Sequence, residues 1–432
     1  MRGTTTLALG AAAVLGALEG VAWWVGLPQG AGAAGFAWLA LGLTLLQAAA
    51  VAALWNQTGP RTLALVVGLA IVFRVGAWAW PTDLSSDIYR YVWDGRVQLA
   101  GHSPYSATPA AASLEPLRDD AIWPHINRKR VLTVYPPGAQ VLFAGLSAAG
   151  LRSVAAVKAA AVLAEICGML LLAAALRRRG IALGRLAIYA WSPLVVAEVC
   201  VSGHLDAFVL PLIMLALFAA DRGARTACGL LLGLAALMKL YPVLLFAAIP
   251  REQRWRALGA AGLLALVLYG AYFAVSGSAV LGFLPDYPRS GEDFNVGARG
   301  LLQLALSGLG TLARPIAMIA CGGALAGVVL WIARRPPADP YVSATQIALA
   351  FVLLLPTAMH PWYALWMVPL LCIHPSPAGL WLAATLPLSY LKYGPPDGPM
   401  PAWVTATIWI APLVALAAGW ARRRAARADA AG

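Results

Sequence analysis

The chain has 432 residues, 61% of them hydrophobic and only 11% charged, with a mean hydropathy of +0.75. That composition excludes a soluble domain of this length and fits an all-α polytopic membrane protein. The balance of 31 Lys and Arg against 18 Asp and Glu gives a formal net charge of +13, but the arginines cluster in short connections between apolar runs, so the positive-inside rule accounts for them and no nucleic-acid partner is implied.

At about 20 residues per span, the apolar runs allow roughly 12 to 14 transmembrane helices in one integral membrane domain over residues 1–432. The runs fall at 5–27, 33–55, 62–80, 154–176, 183–199, 205–220, 257–275, 315–333, 343–358, 362–373, 378–391 and 403–420. The first follows Arg2 without a small-residue cleavage site and reads as a retained helix. After the third span comes the longest polar segment, 81–153, ending in a short run from Tyr135 that begins YPP and reads as a half-helix or interfacial helix. The stretch 226–250 is interrupted by Lys239-Leu240-Tyr241-Pro242. Pro242 removes a backbone donor, so two short helices are expected there. The basic groups at Arg61, Arg177–Arg179, Arg222, Arg225, Arg251, Arg254, Arg256, Arg334–Arg335 and the short tail 422–432 are expected on the cytoplasmic side. The segments 81–153, 200–204, 276–300, 359–362 and 391–402 then share the outer side, an arrangement in which loops on a helical scaffold build a site. The five cysteines lie in apolar stretches without paired spacing and read as core residues rather than metal or disulfide partners.

The polar segment opens with Asp83–Tyr105, DLSSDIYRYVWDGRVQLAGHSPY. Carboxylates beside a bilayer are costly to leave unpaired, which marks Asp83, Asp87 and Asp94 as functional candidates. On a helix Asp87, Tyr91 and Asp94 share a face. Asp87 is open to two readings: a general base for a hydroxyl group, or an N-cap with Ser85 and Ser86. Arg90, Arg96, Arg128, Lys129 and Arg130 stand where the positive-inside rule disfavours them; they either bind a phosphate or pair with Glu115, Asp119 or Asp120. His204 and Asp206 in SGHLDA either bind substrate hydroxyls or cap the next helix, and Glu198 lies within the preceding span, where an ionisable group usually faces a cavity. Lys239 either snorkels, neutralises a lipid phosphate, or pairs with Glu165 or Glu198. The loop PDYPRSGEDFNVGARG offers Asp286, Arg289, Glu292, Asp293, Asn295 and Arg299 as a substrate-covering loop or a plain connector. His360 opens MHPWYALW among aromatics that suit either a sugar or phosphate contact or an interfacial belt. No Walker A, no GxGxxG after a strand and no HExxH is present, which argues against ATP-driven transport and zinc proteolysis; no cofactor and no metal are expected.

SDIYRYVWDGRVQLAGHSPY followed by TVYPPGAQVLF resembles the first outer loop of the polyprenyl-phosphate-sugar-dependent glycosyltransferases of GT-C fold. The likeness is to bacterial membrane mannosyltransferases and, more distantly, to the enzyme that adds the first mannose to GPI anchors. Asp87 matches the first acid of that family's DxD-like pair, whose second acid is Tyr89 here, weakening any metal-bridging role. Gly101–Tyr105 matches its Gly-x-Ser/Asn-Pro-Tyr turn, with His102 and Tyr105. ALMKLYPVLLF is similar to its Lys-x-Tyr-Pro segment, placing Lys239 and Tyr241; SGHLDA, DFN and HPWYALWMVPLL resemble further elements, and the likeness spans most of 62–375. The resemblance implies a membrane glycosyltransferase that moves a hexose, mannose in the nearest families, from a polyprenyl-phosphate donor to a lipid-linked or cell-envelope glycan acceptor with inversion. It implies a multi-pass protein of the bacterial inner membrane whose active site faces outward among membrane lipids. Asp87 would be the base, Lys239, Arg90 and His360 would meet the phosphate, and His204, Asp206 and Asn295 would position sugars. Asp94, Arg96, His102, Tyr105, Tyr241 and Asp293 complete the expected substrate-binding set. The rival reading is a transporter or flippase of a lipid-linked sugar, but such proteins tend to show broken helices in both halves, and here KLYP is the one obvious break. A ligase using a lipid diphosphate donor is a third reading.

Overall fold

The apolar runs fold as helices, and no strand occurs among the described residues; the computed structural model describes residues 2–27, 30–82, 84–287, 293–335, 339–394 and 400–429. Helix α1 (Arg2–Val25) packs on α2 (Gly32–Leu54) and α3 (Pro60–Trp78). Pro60 opens α3 because the first turn has no need of that N–H and the ring pre-sets φ. The long polar segment carries two short helices, α4 (Asp87–Leu99) and α5 (Pro137–Ala148), packed on each other. Gly95 permits the close approach: a Cβ there would sit 2.4 Å from the Phe143 carbonyl oxygen.

Helix α6 (Val154–Arg178) begins at Ser153, whose Oγ accepts from Ala156 N. A bent pair follows, with α7 (Ala187–Ala190) and α8 (Pro193–Val196) in segments 183–190 and 193–201 that meet at 51°. Pro193 and a wide turn over Ala197–Val201 shape the second half. Then come α9 (Asp206–Asp221) and α10 (Arg225–Met238), a 3-10 segment Tyr241–Ala248, and α11 (Arg251–Ser276), with α10 packed between α9 and α11. The remainder is α12 (Gly297–Ala305), α13 (Ala313–Arg334), α14 (Pro340–Leu354), α15 (Val368–Ile373), α16 (Pro377–Thr385), α17 (Ala402–Thr405) and α18 (Ala411–Asp429).

Among the described residues, seven helices are long and apolar enough to cross a membrane, or eight if the bent pair counts as one span. The other expected spans are helical but shorter. Helix α9 has 16 residues, about 24 Å at 1.5 Å per residue, against a hydrocarbon core of about 30 Å. Pro369 and Pro387, inside the runs at 362–373 and 378–391, with Pro361 and Pro377 just before them, open the 3-10 and α pieces into which those runs divide. The break expected at Lys239-Leu240 is present between α10 and the 3-10 segment.

One buried ion pair fastens α3 to α6. Arg74 Nε and Nη2 each lie 2.6 Å from a Glu165 carboxylate oxygen, and Arg74 Nη1 donates to Ala190 O at 2.8 Å. Glu165 is therefore not the partner of Lys239.

Candidate functional site

A cavity of about 900 Å³ opens between the start of α4, the loop 127–136, the Lys239–Tyr241 break, Phe283–Tyr287, and the turn at His360. Its lining combines polar groups, Ser85, Asp87, Arg90, Asn127, Arg128, Lys239, Tyr241 and His360, with apolar ones, Ala33, Leu84, Leu240, Phe283, Leu284, Phe351 and Leu355. That mixture suits an amphiphile with a polar head and a hydrocarbon tail.

Asp87 is the first residue of α4. Its backbone N–H donates to Ser85 Oγ at 3.3 Å, whereas Ser86, in the N-cap position, makes no side-chain cap bond. Asp87 Oδ1 accepts from Asn127 Nδ2 at 3.0 Å, and the side chain keeps 23% exposure toward the cavity. Asn127 carries no local sequence signal; it meets Asp87 only because the loop folds back. The next residue, Arg128, is held at φ +48°, a backbone state that costs a non-glycine residue about 1–3 kcal/mol and gathers at functional sites. Arg128 lines the cavity.

Arg90 lies one turn beyond Asp87. Its Nε donates to Asp94 Oδ1 at 2.7 Å and its Nη1 to Val131 O at 3.1 Å, while Nη2 is buried without a hydrogen-bond partner among the described residues. Since Arg90 lines the cavity, that spare donor is available to an anion. Lys239 Nζ sits 2.8 Å from Asp206 Oδ2, an ion pair short of directed hydrogen-bond geometry, and 5.2 Å from the Tyr363 ring centre. Tyr241 donates to Asp206 Oδ1 at 2.9 Å. His360 lies over Phe294 (ring centres 4.8 Å apart, planes at 11°) and Trp362 (4.3 Å, 10°).

Asp87, Arg90, Lys239, Tyr241 and His360 thus meet at one cavity. His204 and Asp206 are fully buried one layer behind it, His204 beside Asp87 and Asp206 beside Lys239. The other expected site residues lie elsewhere. Asp94 is 1% exposed, with its oxygens taken by Arg90 and by Gln140 Nε2 at 2.9 Å. Arg96 pairs with Asp119 and donates to Arg152 O. His102 is exposed. Tyr105 is buried and donates to Tyr135 O at 2.7 Å. Asp293 bonds Arg299 and Arg314, and Asn295, at φ +46°, accepts from Trp409 Nε1 at 2.8 Å. Asp83, Arg289 and Glu292 fall outside the described residues. The cluster at 128–130 divides: Arg128 faces the cavity, whereas Lys129 Nζ donates to Pro124 O at 2.7 Å.

Burial above all, and then the Asp87 carboxylate, push the Tyr91 and Tyr135 hydroxyls well above the usual phenol range. Both therefore stay protonated beside Asp87. No three His, Cys, Asp or Glu side chains converge as a metal site among the described residues. The site can deprotonate a hydroxyl at Asp87 and receive an anion at Arg90, Arg128 and Lys239.

Residues 133–358, just over half of the chain, match the family model described as Glycosyltransferase family 87. The matched stretch takes in Glu198, His204, Asp206 and Lys239 and stops short of Asp87 on one side and His360 on the other. No curated protein and no solved structure matches the chain.

Proposed function

The chain belongs to glycosyltransferase family 87, and from that premise we propose that it moves a hexose, specifically mannose, from a polyprenyl-phosphate donor to a lipid-linked or cell-envelope glycan acceptor, inverting the anomeric carbon. It is a membrane glycosyltransferase; the donor, sugar, acceptor and stereochemistry are our reading. The observation that carries it is one cavity with a partly exposed carboxylate, an unspent buried arginine donor and apolar lining residues.

Asp87 takes the proton of the acceptor hydroxyl as its oxygen attacks the anomeric carbon. The bond from that carbon to the phosphate oxygen breaks, and its electron pair leaves on the phosphate. Arg90 Nη2, Arg128 and Lys239 supply donors to the charge that develops there, while the prenyl chain lies along Phe283, Leu284 and Leu355. A single displacement needs one carboxylate and inverts the centre, unlike the paired carboxylates of retaining glycoside hydrolysis. The cavity would face the outer side of a bacterial inner membrane, where such a donor is presented.

The test gives purified protein in detergent a polyprenyl-phosphate carrying radiolabelled mannose, with a membrane lipid extract as acceptor. Label in a new product is the expected result. Transfer with a different polyprenyl-phosphate sugar alone would keep the donor class and replace mannose. No transfer with any such donor, together with uptake of a lipid-linked sugar into proteoliposomes, would replace the enzyme with a transporter.

A further inference from the structure

His204 cannot touch a sugar in this cavity, because it is fully buried and forms no part of the lining. It lies instead between two carboxylates. Nδ1 is 3.9 Å from Asp87 Oδ2, and Nε2 is 3.3 Å from Glu198 Oε2. Neither nitrogen makes a directed hydrogen bond among the described residues. Glu198 is itself sealed from solvent, and its other oxygen accepts from Tyr390 OH at 2.7 Å. The imidazole is pinned against Trp362, with ring centres 4.0 Å apart and planes at 22°.

The local backbone is built for this placement. Gly203 sits at φ +68°, and a Cβ there would come within 2.4 Å of Ile88 Cδ1. Ile88 follows Asp87 in α4, so the bare glycine lets the His204 turn press against the helix that carries the base. A buried imidazole with two unspent nitrogens is costly, unless the proton on Nε2 lies on the Glu198 side and Nδ1 is kept as an acceptor facing Asp87. Histidine is the side chain whose proton moves most readily near neutral pH.

We propose that His204 is a positioning residue that receives the acceptor's proton from Asp87 and stores it between Asp87 and Glu198. This rests on the transfer reaction with Asp87 as base. During transfer, the acceptor O–H proton goes to Asp87 as the new bond to the anomeric carbon forms and the phosphate leaves with its electron pair. Asp87 then passes that proton to His204 Nδ1, while the Nε2 proton stays on the Glu198 side, 3.3 Å from its carboxylate. Asp87 is a carboxylate again, and the imidazolium lies between two negative charges. When product leaves and water enters, the proton returns through Asp87 to solvent. The 3.9 Å gap must close by about 1 Å to reach hydrogen-bonding distance, which a small rotation of the partly exposed Asp87 side chain supplies.

The experiment compares His204→Gln, Glu198→Gln and the double variant with wild type in the transfer assay at varied donor concentration. Each single variant should lower kcat by about 10²-fold and leave the donor KM within about twofold. The double should lose little more than the worse single, as members of one proton path do. Wild-type kcat in His204→Gln, a loss confined to KM, or losses that multiply in the double would each overturn the relay and leave the transferase standing. Should His204→Gln fail to elute as folded protein, Glu198→Gln, which still accepts from Tyr390, decides alone by the same readout. No transfer by wild type would remove the relay together with the reaction it serves.

Discussion

Lys239 Nζ lies 2.8 Å from Asp206 Oδ2, and the two differ in what they see: Asp206 is sealed from solvent, whereas Lys239 keeps 13% exposure and lines the cavity. A buried carboxylate needs its counter-charge, but an ammonium has three donors and one acceptor cannot use them all. Lys239 is thus anchored from behind and open in front. If it meets the donor phosphate, Lys239→Met should cut kcat/KM for the donor by about 10²-fold, the loss of a charged hydrogen bond. Asp206→Asn, which spares the positive charge, should cost under about tenfold on the same scale. Equal losses in the two variants would make the pair purely structural. Steady-state transfer kinetics at varied donor concentration separate the cases.

That pair also shows what the sequence makes legible. The break at Lys239 is readable because a lysine in an apolar run and Pro242 are both local signals. Its partner is not: Glu165 and Glu198 are expected, yet Arg74 takes Glu165, Tyr390 bonds Glu198, and Asp206 takes the lysine. Such choices depend on how helices distant in sequence pack. The same limit divides α4. Asp87 and Arg90 reach the cavity, but Asp94, one turn on from Arg90, meets Gln140 of α5 and is spent there. Residue type and spacing mark all three alike; only the docking of α5, fitted around Gly95, sorts them. The number of long spans depends likewise on where prolines cut apolar runs that composition alone treats as continuous.

Asp87→Asn should lower kcat by about 10²–10⁴-fold, as expected when a general base is lost. The partly exposed side chain tolerates the isosteric amide, so the melting temperature in detergent should hold. Asn127 lines the cavity and donates to Asp87 Oδ1, without being a proton acceptor or a charge itself. Asn127→Ala should therefore reduce kcat far less, by about tenfold, through lost orientation of the carboxylate. An Asp87→Asn variant with near-normal turnover would take Asp87 out of the mechanism.

Arg74 and Glu165 make two hydrogen-bonded contacts at 2.6 Å with no more than 1% exposure. Removing one partner strands the other charge. Arg74→Met should destabilise the fold by about 3–5 kcal/mol, and the double change Arg74→Met with Glu165→Leu should recover most of that, because apolar groups can replace a buried pair at little cost. Thermal unfolding followed by intrinsic tryptophan fluorescence, for the single and double variants, checks both. A double variant as unstable as the single would assign the loss to the Arg74 bond with Ala190 O rather than to the stranded carboxylate.

Asp293 ties the loop before α12 to Arg299 of α12 and Arg314 of α13, next to Phe294, whose ring stacks on His360. Burial alone would raise the Asp293 carboxyl, but hydrogen bonds from Arg314 and Arg299, and then their charges, outweigh it and hold the group below the usual carboxylate range. A carboxyl with a lower pKa in the folded state contributes stability that is complete above the unfolded value, about 3.9, and is lost as pH falls through the folded one. The difference in melting temperature between wild type and Asp293→Asn should therefore stay constant from pH 8 to pH 5, with wild type the more stable, on a span that lies above the unfolded value. It should shrink below about pH 4 and disappear once the folded carboxyl is protonated. A difference that grows on acidification would mean that the two arginines do not hold this carboxylate. Because Met359 N donates to Phe294 O at 2.9 Å, the same latch supports the turn that presents His360, and the variant should also raise the donor KM at neutral pH.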